Sequence, residues 1–148
     1  MTVRGADKLM KQLRRIPLDA RAGIGGALAS SVIDLDRYAK EQIQGGGRSG
    51  RDYRRGGKTH RASAPGEFPK SDRGGAGGLT GSLFFRVAAD KLSAFFGTKM
   101  ATGKYLEFGT SRMAARPWLR PTLRANTDAI TARIRQAVND AIRKATRG

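Results

Sequence analysis

Cysteine is absent from the 148 residues, and histidine and tryptophan each occur once. Without cysteine the chain has no disulfide framework, no thiol nucleophile and no cysteine-based zinc site. A Ser–His pairing would depend on His60 alone, and no nucleophile elbow surrounds a candidate serine. Asp34 and Asp36 lie two residues apart on a predicted helix and do not share a face, so they do not suggest a metal site. The glycines of residues 45–50 lack the Gly-Lys-Ser/Thr ending that a phosphate-binding loop needs. We therefore expect no enzymatic activity, cofactor or metal centre.

Acidic residues and long apolar runs are also scarce. The chain has 12 acidic and 29 basic residues, for a formal net charge of +17. No run approaches the roughly 18 apolar residues that a membrane span needs, and the first residues lack the apolar core of a signal peptide. We expect one domain over residues 1–148, made and used without export or a membrane. The charge by itself indicates an anionic partner: nucleic acid, an acidic protein surface or an anionic membrane.

Apolar residues recur at helical spacing in three stretches. The first two, residues 6–16 and 18–43, are separated by Pro17, which disfavours helical angles at the residue before it. The third, residues 121–146, predicts a long C-terminal helix. The apolar positions that define the three stripes are Leu9, Leu13 and Ile16; Ile24, Leu28, Val32, Leu35, Ala39 and Ile43; and Leu123, Ile130, Ile134, Val138 and Ala141. Gly23, Gly25 and Gly26 weaken the start of the second helix and indicate a kink or a close contact.

Residues 79–98 have the chemistry of a β-hairpin. Leu83, Phe85 and Val87 alternate with their neighbours at a period of two, residues 89–91 suit a turn, and residues 92–96 suit a second strand. Because an isolated hairpin is only marginally stable, helices must cover it. The pattern predicts an α+β fold, in which N-terminal helices and a long C-terminal helix pack on a small antiparallel sheet.

Residues 45–78, called the arm below, hold eleven of the twenty glycines and eight Lys/Arg residues. This composition buries little apolar surface, so it predicts a long flexible loop or extended arm. Such an arm either contacts phosphates or a neighbouring subunit, or is merely solvated. Without an aromatic stacking platform, its cations would attract nucleic-acid backbone rather than read bases. The candidate interface residues are Arg48, Arg51, Tyr53, Arg54, Arg55, Lys58, Arg61 and Phe68.

Residues 104–121 form an unusual run of aromatics, one acid, a Gly-Thr turn and two prolines. The run predicts a short aromatic element, a turn and an anchored start of the C-terminal helix, with Pro121 in the first helical turn. Glu107 is the one acid in this run that would suit a general acid. An acid beside aromatics more often caps backbone amides or pairs with an arginine, and we expect that role here.

Two groups of runs resemble one protein family. The runs are His60-Arg-Ala-Ser-Ala-Pro-Gly-Glu67 with Phe68-Pro69 and Gly78-Leu-Thr-Gly-Ser-Leu83, and later Tyr105-Leu-Glu-Phe-Gly-Thr110 with Met113-Ala-Ala-Arg-Pro-Trp-Leu-Arg-Pro121. They occur in the family's order and spacing, and the likeness covers most of the chain. The sequence resembles the tail-completion, or head–tail joining (neck), proteins of long-tailed bacteriophages, which prophages and gene-transfer particles also encode.

The resemblance implies a structural virion protein of the neck, assembled in the bacterial host cytoplasm, and not an enzyme. It implies a homo-oligomeric ring, a hexamer, between the head connector or stopper protein and the tail terminator or tail tube, with nonspecific contact to genome DNA in the channel. The alternative from charge alone is a basic, sequence-nonspecific nucleic-acid-binding protein. The motif residues to which the resemblance gives a role in the fold, as core or turn-forming positions, are Pro65, Gly66, Glu67, Tyr105, Glu107, Phe108, Gly109, Thr110, Pro117, Trp118 and Pro121.

Overall fold

The computed structural model describes residues 11, 14–18, 21–70 and 78–147. The predicted helix over residues 6–16 lies mostly outside the described residues. In chain order the elements are α1 (Arg21–Gly45), β1 (Asp52–Arg55), β2 (Lys58–Arg61), α2 (Leu79–Ser82), β3 (Leu83–Val87), β4 (Ala94–Thr98), α3 (Ala101–Phe108) and α4 (Leu119–Arg147). The strands form two separate two-stranded sheets, β1–β2 and β3–β4. The predicted α+β fold class is confirmed.

The two long helices form where the apolar spacing predicts them. Helix α1 begins three residues later and ends two residues later than predicted, and α4 begins at Leu119 rather than at Pro121. On α1 the predicted stripe is buried from Ile24 through Val32 to Ile43, except that Leu28 is half-buried. A Cβ atom added at Gly25 would lie 2.9 Å from the Cβ of Lys91. Gly25 thus marks a close contact of α1 with the turn that follows β3.

The chain divides into two compact units. Unit 1 comprises the described residues within 1–33, 85–95 and 127–148, and unit 2 those within 34–84 and 96–126. The buried centre of unit 1 consists of Ile16, Ile24, Leu92 and Ala141. The buried centre of unit 2 consists of Ala39, Ile43, Leu79 and Trp118. The expectation of one domain over the whole chain stays a prediction.

The predicted hairpin over residues 79–98 forms with two corrections. Its first four residues make the helical turn α2, where the Ser82 hydroxyl donates to the Leu79 carbonyl at 2.7 Å. The second strand begins at Ala94, because Leu92 instead enters the buried centre of unit 1. The turn lies where it was predicted, with the Lys91 amide donating to the Ala88 carbonyl at 3.0 Å.

The arm contains more regular structure than its composition suggests. Residues 52–55 and 58–61 pair as the antiparallel strands β1 and β2, so the prediction of a long loop is corrected there. The strands are almost wholly exposed and gain little from apolar burial. The hairpin depends instead on turn geometry and cross-strand pairs. It is held at its base by the Gly50 amide, which donates to the Ala62 carbonyl at 2.9 Å.

Candidate nucleic-acid interface

The β1–β2 hairpin turns at Gly56 and Gly57. Their φ angles are +57° and +75°, the left-handed values that both central residues of a type I′ turn require. Glycine adopts them without the cost that a Cβ atom brings. The Gly-Gly pair therefore closes a two-residue hairpin whose twist matches that of the strands.

Two side-chain pairs join the strands of the hairpin. Asp52 lies opposite Arg61, and the Arg61 Nε donates to the Asp52 carboxylate at 2.7 Å. This hydrogen bond lowers the pKa of Asp52 and raises that of Arg61. Tyr53 lies opposite His60, and their rings stack with centroids 5.5 Å apart at an interplanar angle of 23°. The structure thus brings two aromatic rings together on the hairpin, a pairing that the sequence pattern did not indicate.

The predicted interface cations concentrate on this hairpin. Arg54, Arg55 and Lys58 are exposed on its strands, and Arg51 directly precedes β1. Side chains alternate along a strand, so Arg55 and Lys58 share the face of the Tyr53–His60 stack. Two predicted interface residues lie elsewhere. Arg48 is exposed in the segment between α1 and β1. Phe68 is half-buried and packs against the buried centre of unit 2, because its ring is apolar and has a core to join.

Two open grooves lie in unit 2 at the base of the hairpin. The first, of about 450 Å³, is lined by Tyr53, Arg61, Ala62, Ser63, Pro69, Lys70, Leu79, Met100, Thr102, Leu106, Met113 and Arg116. The second, of about 520 Å³, is lined by Gly50, Arg51, Tyr53, Ala62, Pro65, Arg112, Met113, Ala114 and Arg116. The grooves share Tyr53, Ala62, Met113 and Arg116, so they adjoin each other at these residues.

The walls of both grooves are positively charged. No aspartate or glutamate occurs among the described residues that line either groove. Arg116 lies in both and is held in place, since its Nε donates to the Ser63 carbonyl at 2.8 Å and its Nη1 to the Ala114 carbonyl at 3.3 Å. Sequence reasoning missed Lys70 and Arg112 as interface candidates. Each of the two is next to a residue of a motif run, and this neighbourhood was the one sequence feature that could have identified them.

The first motif run folds around Glu67. Its carboxylate accepts a hydrogen bond from the Ala64 amide at 2.8 Å and another from the Ser49 hydroxyl. The Ser49 hydroxyl is the largest cause of a lowered pKa for Glu67, and the Ala64 amide and the charge of Arg116 act in the same direction. Gly66, at φ +83°, follows Pro65 in the turn that Glu67 closes.

The second motif run is organised by Glu107. Its buried carboxylate accepts hydrogen bonds from the Trp118 and Leu119 amides, both at 2.8 Å, and from the Arg120 amide at 3.1 Å. These amides begin α4 and have no partner within the helix. The guanidinium of Arg120 lies 3.8 Å from the same carboxylate. The expectation that Glu107 caps amides or pairs with an arginine is confirmed.

The aromatic residues of this run divide between the core and the surface. Trp118 is buried, and its indole nitrogen donates to the Gly103 carbonyl at 2.9 Å. Tyr105 and Phe108 were expected in the core, but they are 50% and 61% exposed. Helix α3 turns Gly103 and Glu107, one helical turn apart, toward the interior, so these two rings lie off the buried face. Phe108 packs under the guanidinium of Arg120 at 5.1 Å.

The turn between α3 and α4 requires Gly109. Its φ is +75°, and a Cβ atom there would lie 2.8 Å from the Met113 carbonyl oxygen. Thr110 and Met113 then bridge across the turn, with the Thr110 amide donating to the Met113 carbonyl at 2.8 Å. Pro117 precedes Trp118, and Pro121 lies in the first turn of α4, where a missing amide hydrogen costs nothing.

Other kinds of site find no support in the described part of the chain. It holds no group of three or more His, Asp or Glu residues placed to bind a metal ion. None of its helices combines the length and the apolar character that crossing a membrane requires. Comparison of the chain with known protein families, with characterised proteins and with solved structures finds no match. The exposed cations of the hairpin and the positively charged grooves at its base make this region the candidate site.

Proposed function

We propose that the chain is a structural protein of the neck of a bacteriophage or phage-derived gene-transfer particle. In this proposal it forms a ring, a hexamer, that joins the head connector to the tail terminator or tail tube and surrounds the DNA channel. The observation that carries the proposal is that the two motif runs, distant in sequence, meet in unit 2. The Gly66 amide donates to the Ala115 carbonyl at 2.9 Å, and Arg116 donates to the Ser63 carbonyl at 2.8 Å.

The roles of the motif residues support a protein that assembles rather than one that reacts. Glu67 closes a turn, Glu107 caps a helix, Gly109 permits a tight connection and Trp118 fills the centre of unit 2. Each role fixes backbone geometry in unit 2, and Glu67 does so beside the hairpin through Ser49 and Ala64. The motif thus serves to hold the β1–β2 hairpin in a defined place, as an interlocking ring subunit needs.

The hairpin itself suits contact with a neighbouring subunit. A two-stranded sheet leaves unpaired backbone groups along both outer edges, and such edges readily accept a strand from another chain. Its exposed cations also suit a neighbour or a channel rich in phosphate or carboxylate groups. We infer that the hairpin contacts the adjacent copy in the ring, and that its charge faces either genome DNA or an acidic partner ring.

Electron microscopy of purified particles from the source tests the proposal. We expect density for a ring of this chain between the head connector and the tail tube. In a complementation assay, the eight residues 53–60 are replaced by a Gly-Gly turn. Because Asp52 and Arg61 already lie opposite each other, this turn can join them, and the chain should fold but no longer form the ring. A matched variant, with Arg54, Arg55 and Lys58 changed to Gln, keeps the hairpin and separates strand contacts from charge.

A basic, sequence-nonspecific nucleic-acid-binding protein is the second candidate. The exposed cations of the hairpin, together with the Tyr53–His60 stack, favour it. Such a protein stays small in solution, and its affinity falls steeply with salt as counterions are released. Particles that lack the chain, while the chain copurifies with nucleic acid, would replace the neck proposal by this one.

A further inference from the structure

We propose that the base of the β1–β2 hairpin is a binding site for single-stranded nucleic acid. One unpaired base stacks against Tyr53, and the phosphates on either side of that base bind the cations of the two grooves. This goes beyond the neck function, because a channel for packaged DNA needs only contact with the backbone of a duplex. The site needs a base that is free of its partner.

Tyr53 is placed to act as the stacking platform. Its side chain is 44% exposed and lines both grooves, so it stands at the boundary between them. His60 stacks against one face of the ring, with the centroids 5.5 Å apart. Aromatic side chains on an exposed sheet bind the faces of unpaired bases, and they do so with little sequence preference because every base has such a face.

The first groove offers an apolar surface beside the ring. Met100, Leu106 and Met113 line it together with Pro69 and Leu79. Its volume of about 450 Å³ falls within the range of sites that enclose small organic groups. Thioether sulfurs also make favourable contacts with aromatic rings. An unpaired base that no longer stacks on its neighbouring bases can therefore pack against these apolar side chains instead.

Cations lie on both sides of the platform. The first groove has Arg61 and Lys70, the second has Arg51 and Arg112, and Arg116 belongs to both. Arg61 pairs with Asp52, and the charge of Arg116 acts on the Glu67 carboxylate, but no acid among the described residues lines the grooves themselves. Arg116 is fixed by two carbonyl oxygens, which reduces the entropy lost on binding a phosphate. The nucleic-acid strand can thus bind cations through its phosphates on both sides of the stacked base.

Fluorescence anisotropy with the full chain tests the site. The probes are a labelled twelve-nucleotide oligothymidine and a duplex of equal length. We expect the single strand to bind more tightly than the duplex, and Tyr53→Ala to weaken oligothymidine binding by about 5- to 100-fold. Tyr53→Phe, which keeps the ring, should bind within about 3-fold of the parent chain. The duplex should lose little affinity in either variant.

A charge-matched pair of variants separates the site from general attraction. Arg112→Ala removes a cation of the second groove, and Arg124→Ala removes an exposed cation of α4 outside both grooves. We expect Arg112→Ala alone to reduce the slope of log affinity against log salt, by about 0.7 for one phosphate contact of a single strand. Equal effects of the two variants would overturn the proposal.

Photo-cross-linking gives a reading that does not depend on how the variants fold. An oligothymidine that carries 5-iodouracil should form its adduct with the peptide that contains Tyr53 and His60. Adducts spread over other basic peptides, or a duplex that binds as tightly as the single strand, would overturn the site. Neither result bears on whether particles contain the ring, so this proposal and the neck proposal fail independently.

Discussion

Glu107 links two helices through one buried carboxylate. It belongs to α3 and accepts three amide hydrogens from the start of α4, where the positive end of the helix dipole lies. Aspartate or serine placed directly before a helix commonly does this. Here the cap comes from 11 residues earlier in the chain. The direction in which α4 leaves the turn therefore depends on this side chain.

Changing Glu107 to glutamine should destabilise the protein. The amide oxygen can still accept, but the amide NH₂ group would face backbone N–H donors, and the negative charge beside the helix dipole is lost. We expect the free energy of unfolding to fall by about 2 kcal/mol in urea denaturation. Glu41→Gln, at an exposed acid of α1, should change it by less than about 0.5 kcal/mol. Equal stability of both variants would contradict the capping role.

Glu67 should make stability depend on pH. Its pKa is lowered in the folded protein, first by the Ser49 hydroxyl, then by the Ala64 amide and the charge of Arg116. The contribution is complete above the unfolded value, about 4.3, and is lost as pH falls through the lower folded value. We expect Glu67→Gln to show a smaller loss of melting temperature between about pH 5 and about pH 3 than the parent chain.

Ser49→Ala is the partner test for this pH dependence. It removes the largest cause of the lowered pKa and leaves the carboxylate in place. The acid-induced loss of melting temperature should then lie between those of the parent chain and Glu67→Gln. A parent chain and a Glu67→Gln variant with identical pH profiles would contradict the assignment. Asp52, whose pKa is also lowered, supplies a background that all three chains share.

At the scale of elements, the glycines near the start of α1 differ in what surrounds them. A Cβ atom at Gly26 would meet nothing within 4 Å, whereas one at Gly25 would lie 2.9 Å from the Cβ of Lys91. Gly26→Ala should therefore raise the free energy of unfolding by about 1 kcal/mol through helix propensity. Gly25→Ala should lower it. Thermal and urea denaturation of the two neighbouring variants measure the difference, and equal shifts would contradict the close contact.

The long elements could be predicted because their apolar side chains repeat. Ile24 to Ile43 on α1 follow the helical period that burial imposes. On β3 the residues alternate in sequence but not in burial, because Phe85 is exposed like Phe84. The β1–β2 hairpin has no such alternation, because its side chains are exposed and charged. Gly56-Gly57 was the available signal, since this pair suits a two-residue turn between short strands. The high glycine and charge content of the arm instead predicted a flexible loop.

The candidate site was only partly predictable, because it joins distant parts of the chain. Tyr53, Arg51 and Arg61 were identified from the density of charge around them. Lys70 and Arg112 are interface candidates only because the two motif runs meet in the folded chain and place them in the grooves. No local pattern indicates that Arg116 reaches back to the Ser63 carbonyl, 53 positions earlier. Contacts of this kind depend on tertiary packing, which single-sequence periodicity does not encode.

At the scale of the whole molecule, a net charge of +17 opposes self-association. Copies that approach one another in a ring bring like charges together. Salt weakens that repulsion, and at 0.1 M it largely screens exposed charges that are more than about 10 Å apart. Binding to nucleic acid has the opposite dependence, because salt competes for phosphates. The two proposed activities therefore respond to salt in opposite directions.

Mass photometry of the purified chain should reveal this contrast. We expect more oligomer at about 500 mM salt than at about 50 mM, while oligothymidine affinity falls over the same range. The variant with Arg54, Arg55 and Lys58 changed to Gln should form oligomers at lower salt than the parent chain. Oligomers that dissociate as salt rises would instead show that ion pairs hold the copies together.

The Gly56-Gly57 turn also gives the protein a natural attachment point. A Cβ atom added at either glycine would meet nothing within 4 Å, and the strands on either side end in exposed residues. A short peptide inserted between the two glycines would add mass at the tip of the hairpin without entering either buried centre. An antibody fragment against that peptide would then mark the tip in electron micrographs. Labelling this single loop would then report how the subunit is oriented within the proposed ring.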